Sequence, residues 1–274
     1  MTTQNTSKRL DITVFRGWKE SGHYVWSPYV TKLEARLRFA GLSYKTDAGS
    51  LKAAPKGKIP YIECNDLSSS SANQQESSQP KILLSDSALI PRTLSEWGVL
   101  PDLNGSLDPV KRSHDAGLIA LLENKLYFYH AKERWIQNYY TMRDYALWSI
   151  PYPIRVLVGL MIYRNTTAML HGQGTGRFTD EEIAESRREI WELFSALLTV
   201  SRSNSKGGDT DPFWVLGGDQ PTEVDTCLFG FISSVALCTA APDSRKVVES
   251  LPVLFDYAGR IHDRYFPDYE RWSD

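Results

Sequence analysis

Cysteine is scarce in this chain. Cys64, Cys227 and Cys238 are three in number and scattered over 274 residues. That excludes a disulfide-stapled secreted scaffold and a cysteine-ligated zinc site. Histidine is also sparse, and His23, His114, His130 and His262 stand at no ligand spacing, so no metal is expected. An excess of one charge is missing as well. With 31 basic and 33 acidic residues the net charge is −2, without the basic footprint of a nucleic-acid binder or of a protein held to an anionic membrane. Nor is there a long apolar run. The strongest, Ile150 to Tyr163, falls short of the about 20 residues of a spanning helix and carries Pro151, Pro153 and Arg155, so no membrane span is expected. The polar stretch Met1 to Asp11 lacks the apolar centre of a secretory leader, and a cytoplasmic location is the expectation.

What is present divides into two parts, as a length of 274 residues suits two domains with substantial cores. In the first third, strand and helix signals alternate. Asp11 to Phe15 reads as a strand and the Gly/Ser/aromatic stretch Arg16 to Trp26 as a loop. Ser27-Pro28 opens a helix to about Ala40, with Val30, Leu33, Leu37 and Ala40 at helical spacing and Gly41 as its stop. Leu42 to Asp47 is a second strand candidate, and Lys52 to Lys58 an irregular basic connection. Tyr61 to Glu63 and Lys81 to Leu84 read as a hairpin interrupted by the Ser/Gln/Asn-rich run Asp66 to Pro80, a composition expected to be disordered. The order β-α-β then β-β-α is that of a thioredoxin-like α/β domain, expected over residues 1–101. Residues 107–274 are expected to form an all-α domain. His114 to Trp148 is helical in pattern and rich in Tyr and Trp. Thr179 to Glu182 has the form of a capping box opening a helix to about Val200, Ser201 to Asp211 reads as a polar loop, and Thr222 and Asp225 stand at capping spacing before an apolar helix. His171 with Gly172, Gly174 and Gly176 lacks the spacing of a phosphate loop and reads as an interhelical turn.

Two short segments carry chemistry. In Pro55-Lys56-Gly57-Lys58-Ile59-Pro60-Tyr61-Ile62, Pro60 cannot donate a backbone hydrogen bond and marks a strand start or edge. An X-Pro bond adopts cis at a cost of about 0.5–1 kcal/mol, and a cis bond here would turn the N–H and C=O of Ile59 outward, ready to pair with an extended peptide. In Ser85-Asp86-Ser87, a carboxylate and two hydroxyls stand where a strand gives way to a helix, a place that favours anions. A ligand with an amino-acid head would set its carboxylate on Ser87 and its ammonium on Asp86. Each segment alone also has a purely structural reading, as a strand edge and as a helix cap.

Five stretches together resemble the glutathione transferase superfamily: Ser27-Pro28-Tyr29-Val30-Thr31-Lys32-Leu33-Glu34, Gly57 to Ile62, Asp86-Ser87, His171 to Arg177, and Gly218 to Asp225. Within it they resemble the branch of failed-axon-connection-like and metaxin-like proteins, which has many fungal members. The matches run from residue 27 to residue 225, across both domains. The resemblance implies the glutathione transferase fold, a thioredoxin-like N-terminal domain followed by an all-α one. It implies glutathione as the cofactor, bound by Ile59, Pro60, Asp86 and Ser87. Among Lys52, Lys56 and Lys58, Lys58 is the choice for its glycine carboxylate, although exposed lysines are commonly a solvated surface. It further implies a homodimer and a helical domain that supplies the pocket for a hydrophobic electrophile.

The same resemblance places Ser27 where a hydroxyl or thiol meets the glutathione sulfur. A hydroxyl donor and a helix N-terminus both favour thiolate over thiol, and thiolate is the nucleophile. A free thiol of pKa about 8.5 is only a few per cent ionised at neutral pH. Ser27-Pro28 is equally a routine helix start. Tyr24, Trp26 and Tyr29 compete for the role, and the loop Arg16 to Trp26 is longer than the turn usual in the superfamily. Ser at this position cannot form the mixed disulfide of the thiol reductases. What remains is addition of the thiolate to an electrophile, kept as a conjugate or reversed after bond rotation to give cis–trans isomerisation, with specialised metabolism as the setting suggested by fungal relatives. The alternative from another class is a non-catalytic, metaxin-like protein-interaction module.

Overall fold

The computed structural model describes residues 10–66, 81–205, 207–208 and 210–272. Strands β1 (Leu10–Phe15), β2 (Lys45–Asp47), β3 (Tyr61–Asp66) and β4 (Ile82–Ser85) form one sheet in the order β2-β1-β3-β4. β1 and β2 are parallel and joined through helix α1 (Pro28–Phe39), while β3 is antiparallel to both β1 and β4. Ile12 and Val14 of β1 and Ile62 and Cys64 of β3, two residues apart on each strand, form one core with Leu33 and Leu37 of α1 and Ile90 and Leu94 of α2 (Leu89–Glu96). This is the thioredoxin-like arrangement expected. The second strand is shorter than Leu42 to Asp47, because Leu42 still belongs to the end of α1. Its N–H donates to the Leu37 carbonyl at 3.0 Å, and its side chain and that of Tyr44 pack against the sheet core. Of the polar run Asp66 to Pro80, Asp66 closes β3 and the remainder lies outside the described residues.

The second region is helical, as expected. Helices α3 (Pro109–Leu121), α4 (Tyr127–Lys132) and α5 (Tyr139–Ala146) follow one another through two wide π turns, Leu122–Leu126 and Glu133–Gln137. After α6 (Tyr152–Gln173), Gly174 takes φ 110°, and a single 3₁₀ turn leads into α7 (Asp180–Asn204). The interhelical turn read from the glycines thus begins at Gly174, where only glycine takes such a φ cheaply, while His171 and Gly172 still belong to α6. Thr179 and Glu182 cap α7 reciprocally, at 2.8 and 3.2 Å. The helix continues past Val200 into the stretch expected as loop, because the Ser201 hydroxyl donates to the Trp214 carbonyl and docks the last turn. Helices α8 (Glu223–Leu237), α9 (Pro242–Glu249) and α10 (Pro252–Tyr265) complete the domain. Val224 to Ala236 of α8 are all buried, in a core that includes Trp191, Phe194 and Tyr257. Among the described residues no single helix is long and apolar enough to cross a membrane; α8 and α9 are apolar together but bend by 116° at their junction.

Candidate functional site

Strand register builds the site. Phe15 aligns with Tyr61, and Tyr61 with Ser85, so the chain leaves β1, enters β3 and leaves β4 at one end of the sheet. Because β1 and β2 are parallel, the crossover helix α1 runs back against them and starts at that same end. Topology therefore gathers Ser27, Ile59-Pro60 and Asp86-Ser87 onto one edge. The Ile59-Pro60 bond is cis, with Pro60 buried and Ile59 half-buried. Asp86 has φ 84°, the only positive φ outside glycine among the described residues. Its Oδ1 accepts from the N–H groups of Ala88 and Leu89 at 3.0 and 3.2 Å, holding the entry to α2, while the residue stays exposed. Ser87 is buried, at 7% exposure. Lys58 is exposed, as are Lys52 and Lys56.

Ser27 occupies the N-cap position of α1 with Pro28 behind it, in extended backbone (φ −82°, ψ 116°), yet its side chain makes no capping bond. The hydroxyl is half-buried and not engaged by its own helix. Its aromatic competitors take different places. Tyr24 donates or accepts at His262 Nδ1 over 2.8 Å and packs among Phe229, Phe266, Tyr269 and Trp272, inside the core of the helical domain. Trp26 stacks on Tyr145 with ring centres 3.6 Å apart. Tyr29, in the first turn of α1, lies half-buried against Tyr127, and burial holds its phenol above the usual range, so it stays protonated.

The long loop from Arg16 to Trp26 is folded around Arg16. This buried guanidinium donates to the carbonyls of Glu20 and His23 and pairs with Glu34 of α1 at 3.1 Å. The loop also clasps the C-terminal segment: Glu270 N–H donates to the Gly22 carbonyl at 2.7 Å, and Glu34 accepts from the Tyr269 hydroxyl at 2.7 Å. Toward α5 it sets two indoles parallel to Tyr145, Trp18 at 4.8 Å and Trp26 at 3.6 Å, with Trp148 tilted on Trp18 at 5.1 Å. Burial raises the Tyr145 phenol to about 12, and its oxygen accepts the Trp26 N–H at 3.2 Å. These rings form an aromatic wall, contributed by both domains, beside the start of α1.

Arg16, Tyr145 and the buried Arg134, which donates to the Trp26 carbonyl at 2.9 Å, carry no sequence signal that marks them. Thr222 and Asp225 serve folding, as expected: Asp225 accepts from the Thr222 N–H and hydroxyl, the Val215 N–H and the Tyr257 hydroxyl at 2.8–2.9 Å. Among the described residues no group of three or more His, Cys, Asp or Glu is placed to hold a metal ion.

The family described as glutathione S-transferase N-terminal domain matches residues 28–142. Failed axon connections of Drosophila melanogaster is 26% identical over 260 residues, 89% of this chain and 55% of its own, so the chain spans about half the length of that relative. Among solved structures, a glutathione transferase family member from Pseudomonas fluorescens with two glutathione molecules bound superposes with a TM-score of 0.51 at 13% identity, over 96% of this chain and 92% of its own. Glutathione S-transferase III in apo form gives 0.51 at 13%, over 93% of each chain. Glutathione transferase F2 from Populus trichocarpa gives 0.50 at 16%, over 93% and 94%. These structures show the two-domain glutathione transferase fold. The chain thus matches the glutathione S-transferase N-terminal domain family over residues 28–142, is similar to Failed axon connections, and has the two-domain fold of the glutathione transferases.

Proposed function

We propose that this protein is a glutathione-dependent transferase or isomerase. The observation that carries this reading is the convergence of Ile59-Pro60, Asp86-Ser87 and an uncapped Ser27 hydroxyl at one end of the sheet. In this reading the backbone of Ile59, next to Pro60, pairs with the peptide backbone of glutathione. Asp86 takes its ammonium, Ser87 the adjoining carboxylate and Lys58 the glycine carboxylate. The Ser27 hydroxyl donates to the sulfur and, with the N-terminal end of α1, favours the thiolate. The thiol proton leaves to solvent, and the sulfur lone pair forms a C–S bond to an electrophilic carbon while a leaving group departs or an alkene π pair moves away. Expulsion of the same thiolate after bond rotation gives the cis–trans isomer instead. The wall of Trp18, Trp26, Tyr145 and Trp148 suits a hydrophobic acceptor. A homodimer in the cytoplasm, serving specialised metabolism, completes the reading.

Calorimetric titration with reduced glutathione, in buffers of different ionisation enthalpy, tests it. Binding with proton release near neutral pH is expected. Ser27→Ala should reduce that release while changing folding stability by less than about 0.5 kcal/mol, since no cap bond is lost. Absence of binding at millimolar glutathione refutes the transferase reading.

A second reading, a non-catalytic interaction module, draws on α6. Ile154, Leu157, Leu160 and Met161 are all about half exposed or more on that helix, where a solvated face would carry polar groups. The relationship to Failed axon connections is compatible with it.

A further inference from the structure

Among the described residues, no carboxylate touches the buried guanidinium of Arg134. It is 6% exposed and lies in the second π turn of the helical domain. Nη1 donates to the Trp26 carbonyl at 2.9 Å, Nη2 donates to the Ser234 hydroxyl at 3.0 Å, and Nε has no partner. The Ser234 hydroxyl donates in turn to the same Trp26 carbonyl. Burying a cation without a counter-charge is strongly unfavourable, so the omission of one is informative.

The neighbouring carboxylate is engaged elsewhere. Glu133 accepts from Arg187 at 2.7 Å, from the N–H groups of Asp243 and Ser244 at 2.8 and 3.1 Å, and from the Ser244 hydroxyl. Among the described residues, four titratable groups on which Arg134 acts are kept neutral by burial, which lowers His130 of α4 and raises Tyr127 of α4, Tyr145 of α5 and Cys238 after α8. Arg16, the other cation near Tyr145, is paired with Glu34. On the opposite side of the first turn of α1, Lys32 and Glu123 pair at 2.7 Å, Tyr29 stays protonated, and Asp86 is the carboxylate at the entry to α2. Among the described residues the charge of Arg134 therefore has no carboxylate partner, and the guanidinium is hydrogen-bonded to the residue immediately before Ser27. The N-terminus of α1, a twelve-residue helix, adds partial positive charge of its own at the same point.

We infer that Arg134 is the helical domain's contribution to thiol activation, a positioning cation that acts through the Trp26 carbonyl and the start of α1 to favour the ionised form of a sulfur held at Ser27. The inference rests on the glutathione reading above. The step is S–H to S⁻ with the proton released to solvent; no electrons change hands, and Arg134 keeps its charge throughout. An opposite charge within about 4–6 Å lowers an acid by 1–3 pH units, and with one peptide group intervening about one unit is expected.

Thiolate absorbance of reduced glutathione bound to the full chain, followed against pH, reads this directly, with S-methylglutathione as a probe that cannot ionise. In the unmutated protein the bound thiol should titrate below free glutathione. Arg134→Met should raise that midpoint by about one unit. Arg134→Lys, which keeps the charge, should stay near the unmutated value, and S-methylglutathione should bind all three within about twofold. An unchanged midpoint in Arg134→Met overturns the role of Arg134 and leaves the glutathione reading standing. If the unmutated protein does not bind glutathione, or binds it with an unshifted thiol, both fall. Should Arg134→Met fail to fold, Ser234→Asp decides, because it supplies the missing carboxylate without removing the guanidinium: a midpoint raised by a similar amount supports the inference, and an unchanged one overturns it.

Discussion

Asp86 joins a folding role to a proposed binding role in one side chain, and the two can be separated. Its φ of 84° is tolerated by Asp and Asn better than by other residues with a Cβ. Its Oδ1 holds the first N–H groups of α2, work that an amide oxygen can also do. Asp86→Asn should therefore keep stability within about 0.5 kcal/mol, while loss of the charge facing an ammonium lowers glutathione affinity about tenfold. Asp86→Ala loses the cap and the tolerance of positive φ, and should lower stability by about 1–2 kcal/mol in urea denaturation. Equal glutathione affinity in Asp86→Asn and the unmutated protein would remove the ammonium role. Asp86 was legible in the sequence because a short polar residue at a strand-to-helix junction acts on groups two or three positions away. Arg134 was not, because its meaning depends on the Trp26 carbonyl, 108 positions distant.

At the scale of elements, the start of α8 carries a pH dependence. Burial raises the Asp225 carboxyl from its usual 3.8 to about 6, against the pull of four hydrogen-bond donors. Between those values the folded chain holds the proton more tightly than the unfolded one. The contribution of Asp225 is thus most favourable below about pH 4 and declines as pH rises through 6. Urea midpoints measured across that range should contain this falling component, and Asp225→Asn should lack it. At pH 7 the same variant should lose about 1–3 kcal/mol, since an amide nitrogen then faces donors it cannot accept. The caps of α7 and α8 were readable because a capping pair spans only three residues. The extension of α7 to Asn204 and the shortening of β2 were not, since Trp214 and the core of the sheet decide where those elements end. The long β1–α1 loop looked like an irregularity in one dimension. In three it is a clasp on the C-terminal segment, organised by Arg16.

For the molecule as a whole, docking of the two domains turns on Gly230. A methyl group there would fall on the Pro28 carbonyl oxygen and lie 2.9 Å from the Lys32 nitrogen, both backbone atoms of α1. Helix α8 can approach α1 this closely only without a side chain. Gly230→Ala should destabilise the protein by about 3 kcal/mol and separate the unfolding transitions seen by tryptophan fluorescence and far-ultraviolet dichroism. A coincident transition at the original midpoint would mean that the helices are not in such contact. Nothing in the sequence distinguished Gly230 from any other glycine within an apolar helix. By itself the sequence determined the strand and helix order of the first domain, the helical character of the second, the caps of α7 and α8, and the two short segments at the sheet edge. Those follow from backbone sterics and hydrogen bonds acting over a few residues. Only the tertiary structure decided that Tyr24 is core, that Trp18 and Trp26 flank Tyr145, and that Arg134 has no carboxylate partner among the described residues behind Ser27. A side chain's partners come from elements far apart in the chain, and packing alone selects which of many equally apolar or equally charged candidates meet.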